Sequence, residues 1–437
     1  MDKLEHCKES IARAVTAREA EITALGDALF RTPELGFKEH KTRALLLDYL
    51  ARQGLTPDRE YAVTGFSVTL GHGKPHIALL AELDAIPTLG HPQADLGDQS
   101  AANSCGHSTQ CAIAVNALLA LRDSGALDQG GTVTLFFTPA EEYTDLPYRE
   151  ALQSQGKIRY RSGKLQMLAD GVLDGVDVCL HLHAMGPSPY RFSVDSQLAG
   201  FVYKKFIFQG VAAHAAAGPH LGVNALNAFA LFQCAAGMLR ETFVDEDKNR
   251  FHGIVTEGGQ TINSIPNQVV YESYVRSFDL EKLQSLSQRL TAAAVHCAQA
   301  LGGDCRVEDV PGYLPFVQCH ALSQVARGNM HRFASDAEIL DHERSPAAGD
   351  IGDVSVFYPA IQFGYGGFSG IIHGKTMAIE DPHRIYNEAA QVLAITAADL
   401  LANPAFVEEI TGKFRPAMTP AAYFRYLDGT SPSPTAN

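Results

Sequence analysis

Three apolar runs, each closing on residues that can bind a metal or move a proton, constrain this chain more than any other feature. His76-Ile-Ala-Leu-Leu-Ala81 closes on Glu82-Leu-Asp84. Gly131-Thr-Val-Thr-Leu-Phe-Phe137 runs into Thr138-Pro-Ala-Glu141-Glu142, and Val176-Asp-Val-Cys-Leu-His181-Leu-His183 ends in alternating histidines. Short runs that are apolar at nearly every position read as strands buried on both faces, as in a sheet covered by helices. Open α/β sheets take their ligands at the carboxyl ends of such strands. Packing alone does not explain three consecutive strands that deliver acids or histidines to that edge.

A fourth candidate lies between the first two runs. In Asn103-Ser-Cys105-Gly-His107-Ser108 a soft thiolate and an imidazole stand one residue apart, a spacing that on a loop lets both reach one ion. A helix-like apolar run, Cys111 to Leu121, follows. Near the C-terminus the glycine-rich stretch Gly364-Tyr-Gly-Gly-Phe-Ser-Gly370 precedes Ile371-Ile-His373. The donors collected in this way are Cys105, His107, Glu141 or Glu142, His181 or His183, and His373. They are sulfur, nitrogen and oxygen donors suited to zinc, manganese or a similar ion. They exceed one closed tetrahedral site and are enough for two ions sharing a bridge. One glutamate would then ligate while its neighbour takes the proton of a metal-activated water, provided an irregular backbone turns both inwards. Each piece has a plainer explanation: a buried thiol beside a hydrogen-bonded histidine, a solvated helix start at the paired glutamates, a flexible glycine turn. Their common position at strand ends has none.

At 437 residues the chain exceeds one ordinary core, which implies two domains or one with a large insertion. A net charge of −14 argues against a nucleic-acid surface, which needs clustered Lys and Arg. The eight cysteines are scattered, mostly in apolar runs where a small buried hydrophobe is expected, and they suit a reducing compartment better than a disulfide framework. The N-terminus lacks a signal-peptide core, and no apolar run has the length of a membrane span. The expectation is a cytoplasmic protein acting on a small molecule, with neither nucleic acid nor membrane as partner.

Helical periodicity runs from about Leu4 to Phe30, is broken by Thr32-Pro-Glu-Leu-Gly-Phe37, and resumes from Lys41 to Gly54. From about Ser193 to Leu314 the character changes to strand, helix, strand, strand, helix, strand, the order of the ferredoxin-like split motif. The fold class is therefore α/β: a mixed-sheet catalytic domain, residues 1–192 and 315–437, with an inserted ferredoxin-like α+β domain, residues 193–314. Gly349-Asp-Ile-Gly-Asp353 reads as a loop, the last helix as about Ile385 to Ala402, and the tail from about 430 as disordered.

With these motifs assembled, the chain resembles the M20 family of metallopeptidases and amidohydrolases, nearest its branch of aminoacylases, amino-acid-conjugate hydrolases and aminobenzoyl-glutamate hydrolase. The likeness covers nearly the whole chain. Thr32-Pro-Glu-Leu-Gly-Phe37, Glu82-Leu-Asp-Ala-Ile-Pro87, Cys105-Gly-His107, Pro139-Ala-Glu-Glu142, Ala213-His214-Ala-Ala216, Gly258-Gly-Gln-Thr-Ile-Asn-Ser-Ile-Pro266 and Gly349-Asp-Ile-Gly-Asp-Val-Ser355 follow the family's order. It implies Cys105, His107, Glu142, His183 and His373 as ligands of one or two divalent ions, Mn or Zn, with Glu141 as general base. His183 is preferred to His181 because Pro189 falls where the family has its proline. The resemblance also implies that the inserted domain is a lid through which a homodimer or higher homo-oligomer forms. His214 would stabilise the developing oxyanion, often across the dimer interface, and Asn263 and Arg276 would hold a substrate carboxylate, the arginine in bidentate fashion. Gly370 is a further substrate-side candidate. Where the family reads His-Ala-Cys-Gly-His-Asp-x-His, this chain has Asn103-Ser-Cys-Gly-His-Ser-Thr-Gln110, so the surroundings of His107 are altered and one of two metal positions is expected to be weak or vacant.

The activity so implied is hydrolysis of a C–N bond in a small carboxylate-bearing substrate, an N-acyl or aminobenzoyl amino acid. A second possibility keeps the site and changes the electrophile: hydrolytic deamination of an aromatic amine such as 5-nitroanthranilate. The late aromatics Phe357, Tyr358, Phe363, Tyr365 and Phe368 could line an aromatic pocket or equally be core, and core is the preferred reading for Phe357 and Phe363. A third, a non-catalytic binding relative, is disfavoured because no ligand or base is missing.

Overall fold

The computed structural model describes residues 3–128 and 130–429. They form two compact units: one holds the chain up to Ser196 with Val317–Glu343 and Asp353–Ala417, the other Gln197–Phe316 with Arg344–Gly352 and the described residues from Met418 on.

Helices α1 (Lys3–Ala17), α2 (Glu19–Phe30) and α3 (His40–Arg52) precede strands β1 (Arg59–Tyr61), β2 (Gly65–His72) and β3 (His76–Glu82). Next come α4 (His107–Asp123), β4 (Gly131–Thr138), α5 (Leu146–Ser154), α6 (Gly163–Ala169), β5 (Val178–Ala184) and β6 (Phe192–Val194). The second unit supplies β7 (Gly200–Gln209), α7 (Ala225–Leu239), β8 (Arg250–Glu257), β9 (Gln268–Ser277), α8 (Leu280–Ala300) and β10 (Asp304–Pro311). The chain continues with α9 (His320–Met330), β11 (Ile339–Asp341), α10 (Ile351–Ser355), β12 (Ala360–Tyr365), α11 (Ala389–Ala402), α12 (Pro404–Lys413) and α13 (Pro420–Leu427).

In the first unit eight strands form one mixed sheet in the order β1-β2-β4-β3-β5-β12-β6-β11. Its centre, β4-β3-β5-β12, is parallel, so the carboxyl ends of those strands share one edge. Helix α4 buries every residue from His107 to Leu121, and its apolar side chains join one core with those of α1, α2, α11 and the strands. A helix apolar all round belongs inside a protein. In the second unit the four strands are antiparallel in the order β8-β9-β7-β10. Phe232 of α7 and Leu283 and Leu290 of α8 pack with Phe206, Phe208, Phe251 and Tyr271 of the sheet. Strand β8 lies at the edge and is exposed along nearly its whole length.

Several elements differ from expectation. The first helical stretch breaks at Arg18, whose guanidinium turns back to the Ala14 carbonyl and pairs with Asp123. The expected loop at 349–353 winds into α10 from Ile351. The helix expected from Ile385 opens with a wide π turn, Arg384–Glu388, and it is not the last. Helices α12 and α13 follow, each with a side-chain cap (Asn403, Thr419) and a proline in its first turn. All eight cysteines are free thiols, but Cys234 is exposed on α7 rather than buried. The tail 431–437 lies outside the described residues. No single described helix is long and apolar enough to cross a membrane.

Candidate metal centre

The parallel centre of the sheet brings the chemistry together. Glu82 ends β3, Thr138 ends β4 just before Pro139–Glu142, and His183 is the penultimate residue of β5. His373 lies on the loop after β12, with φ +61°, and its amide donates to the Ser104 carbonyl at 2.8 Å, tying that loop to the cysteine segment. Between Cys105 and His107 only glycine fits. Gly106 has φ +93°, and an added Cβ would stand 2.4 Å from Cβ of Ala184.

Cys105 Sγ is 3.5 Å from His183 Nε2 and 3.2 Å from His373 Nε2, and His373 Nε2 is 3.0 Å from Glu142 Oε1. Two triads share the thiol, Cys105-His107-His183 and Cys105-Glu142-His373, and a third, His107-Glu141-Glu142, brings in the neighbouring glutamate. In each, the ligand atoms lie within 4.8 Å of one another, and the separations of 3.0–3.5 Å are ones that two bonds of about 2.0–2.3 Å to zinc can span. The imidazoles are oriented for this. His107 Nδ1 faces the Asp84 carbonyl at 2.9 Å and His183 Nδ1 that of Ala184 at 2.9 Å, which leaves each Nε2 lone pair free to ligate. Nε2 of His107 is buried with no hydrogen-bond partner among the described residues. The donor set therefore fits a divalent transition ion. His181 lies two residues earlier on the same strand face; its Nε2 is 3.2 Å from Glu82 Oε1, also without a hydrogen-bond partner among the described residues, and its Nδ1 faces Gln362 Oε1 at 3.0 Å.

The paired glutamates are both buried, on an irregular turn where Ala140 has φ +53°. Buried Arg149 of α5 donates to the carbonyls of Glu142, Ala140 and Arg161, and the Ala140 amide donates to Glu39 Oε1 at 2.8 Å. Glu142 turns toward His373, while Glu141 Oε2 is 3.9 Å from His107 Nε2. Charge follows this geometry. Burial pushes the Cys105 thiol up, but His107 and His183 outweigh it and bring it down to about 6. Burial raises Glu142 too, but the hydrogen bond and charge of His373 hold it at about 2. His373, disfavoured as a cation by burial, is nonetheless raised to about 10 by Cys105 and Glu142.

A family model described as peptidase family M20/M25/M40 matches residues 78–399, which include every donor named above. The chain belongs to this family. It is a hydrolase of carbon–nitrogen bonds. Among curated M20 relatives it is 27% identical to the Xaa-Arg dipeptidase of Mus musculus, over 94% of this chain and 93% of that protein. It is 26% identical to the N-acetyl-L-cysteine deacetylase of Bacillus subtilis, over 78% of this chain and 79% of that one. Its fold is similar to that of a dinuclear metal-binding M20 peptidase from Bacillus subtilis, with a TM-score of 0.68 at 20% identity, covering 89% of this chain and 99% of that one.

Of the other expected site residues of this M20 chain, Gly370 is in the first unit. His214, Asn263 and Arg276 belong to the second unit. His214 is exposed, and its Nδ1 accepts from the amides of Ala216 and Ala217 at 3.2 and 3.1 Å. Asn263 is its neighbour through the bridge between His214 and Ser264. Arg276 lies against the rings of Phe201 and Tyr274 and donates to the Pro346 carbonyl at 3.0 Å. Gly370, with φ +74°, sits in the loop that leads to His373, and a Cβ there would stand 1.9 Å from the Thr376 carbonyl oxygen. Beside that loop is a cavity of about 570 Å³, with Phe368, Asp381 and Arg384 in its wall. Of the late aromatics, Phe363, Tyr365 and Phe368 are part of the main core.

Sequence reasoning did not single out Lys164, Glu39 or Arg149. Lys164, fully buried, puts Nζ 2.6 Å from Glu82 Oε1. Glu39, also fully buried, is raised to about 8 by burial and by the nearby charge of Asp84. Nothing in their local sequence marks them; a charged residue in a short helix ordinarily faces solvent.

Proposed function

We propose that this M20 hydrolase cleaves the amide bond of a small carboxylate-bearing substrate, an N-acyl or aminobenzoyl amino acid, at a centre holding one or two divalent ions, Mn or Zn. The observation that carries the reading is the pair of donor triads sharing Cys105, with Glu141 buried beside them and not needed by either. Cys105, His107, Glu142, His183 and His373 hold the ions. When bound, a divalent cation there supplies a Lewis acid that polarises the scissile carbonyl and makes water acidic enough to ionise near neutral pH.

Glu141 accepts a proton from the attacking water and returns it to the leaving amine. Buried near His107 on a turn held by Arg149 and Glu39, its carboxylate has little freedom to leave. The donor for the developing negative charge is His214: its Nδ1 already accepts two backbone amides, so Nε2 carries the proton. Asn263, Arg276 and Gly370 are assigned to the substrate side. The second unit is the homodimer surface, a reading supported by Ile254 and Val255 exposed on edge strand β8 and Met238 on α7. The named activities of the two curated relatives also favour amide over aromatic-amine chemistry, and Phe363 and Tyr365 are buried in the main core.

Glu141→Gln tests the assignment. The variant is expected to bind metal as the parent does and to lose about 10²–10⁴-fold in kcat toward acyl and aminobenzoyl amino acids. A variant that keeps most of its turnover removes Glu141 from the chemistry. Ammonia released from an aromatic amine, with no amide cleaved, replaces the substrate class.

A further inference from the structure

Helix α6 is pressed against the turn that carries the paired glutamates. A Cβ on Gly163 would stand 1.8 Å from the Pro139 carbonyl oxygen, and the Gly163 amide reaches the Ala140 carbonyl at 3.3 Å. The next residue, Lys164, extends into the core, where neither it nor Glu82 is more than 2% exposed. Its ammonium donates to Glu82 Oε1 at 2.6 Å. On the other side, Gln110 Nε2 donates to Glu82 Oε2 at 2.9 Å while Gln110 Oε1 accepts the Glu82 amide at 3.2 Å. The carboxylate so held faces two imidazoles, His181 Nε2 at 3.2 Å from Oε1 and His107 Nε2 at 3.2 Å from Oε2.

A buried ion pair is a poor way to stabilise a core, because desolvating two charges offsets most of their attraction, and apolar replacements are often no worse. This pair lies instead against a donor of the metal centre. Glu82 is itself a capable oxygen ligand, and with no cation of its own it would compete for the ion or for a proton on His107. With Lys164 on one oxygen and Gln110 on the other, each oxygen has a donor and the plane of the carboxylate is fixed.

We infer that Lys164 is a positioning residue of the metal centre, pinning Glu82 beside His107 and His181 so that its carboxylate neither moves onto the ion nor holds a proton on His107 Nε2. This rests on the metal-centre reading above. It also gives Gln110 a purpose: the amide completes a lysine–glutamate–glutamine clamp behind His107.

The test is the affinity of metal-free, full-length protein for Mn²⁺ and Zn²⁺, measured by competition with a chelator, for the parent, Lys164→Met, Glu82→Gln and the double variant. Lys164→Met and Glu82→Gln are each expected to weaken binding about 10–100-fold, a size usual for groups just behind metal ligands, because each leaves one uncompensated charge beside His107. The double variant, which removes both charges, is expected to bind more tightly than either single, because the two residues act as a pair. The double variant leaves no lone charge in the core, so its thermal melt separates a lost fold from a lost site. Parent-like affinity in both folded singles, or losses in the singles that multiply in the double, overturns the inference. A parent protein that takes up neither ion overturns the metal-centre reading itself.

Discussion

At the scale of single residues, the thiol of Cys105 is the group on which both donor triads depend, and its chemistry is measurable without substrate. Only the thiolate is nucleophilic, and in metal-free protein Cys105 is brought down to about 6 despite burial, while burial pushes Cys111 and Cys179 far up. Alkylation at Cys105, followed by mass spectrometry of its peptide, is therefore expected to rise as pH passes upward through about 6 and then level off. Cys111 and Cys179 stay unlabelled over the same range, and added Mn²⁺ or Zn²⁺ protects Cys105. Labelling that begins only above pH 8, or that metal does not suppress, contradicts the assignment.

Among the elements, the turn after β4 decides how well the site is built, and a distant motif holds it. The Glu34 carboxylate accepts from the amides of Lys41 and Thr42 at the start of α3, and the Glu34 carbonyl accepts the Ala85 amide at 2.7 Å. Two residues on, a Cβ at Gly36 would stand 2.8 Å from Cα of Ala140 and 2.6 Å from the Arg149 guanidinium. Gly36→Ala should therefore displace the turn that carries Glu141 and Glu142. It is expected to cost about 1–3 kcal/mol of stability in thermal unfolding and to weaken metal binding; an unchanged melt and affinity would show that the turn does not rest on Gly36.

The same elements show what the sequence makes legible. β3, β4 and β5 announce themselves because strands covered on both faces need apolar residues at nearly every position; Glu142 and His183 are readable as donors because they sit at or beside the ends of such strands, and Cys105 because it stands one residue from His107 just before α4. The choice of His183 over His181 is not a matter of periodicity, since both share a face; it depends on which ring meets Cys105. The break at Arg18 escapes detection because helical spacing continues across it and the interruption comes from Asp123, far along the chain. Lys164 escapes for a similar reason, its partner being 82 residues away. The caps and prolines of α12 and α13, by contrast, stand in the sequence.

For the whole molecule, the proposed homodimer through the second unit makes β8 the element to perturb. Its neighbour β9 is already paired on both sides by β8 and β7, whereas β8 offers an unpaired edge carrying Ile254, 66% exposed. Ile254→Lys is expected to shift the protein from dimer to monomer in sedimentation or light scattering while each unit keeps its fold. A dimer unchanged by that substitution moves the interface elsewhere.

The central claim is that one thiolate serves both halves of the centre. Elemental analysis of purified protein beside its Cys105→Ser variant tests it most directly. The parent is expected to carry one or two equivalents of Mn or Zn per protomer, and the folded Cys105→Ser variant to lose all of it or nearly so. A folded variant that keeps the parent's full metal content contradicts the claim.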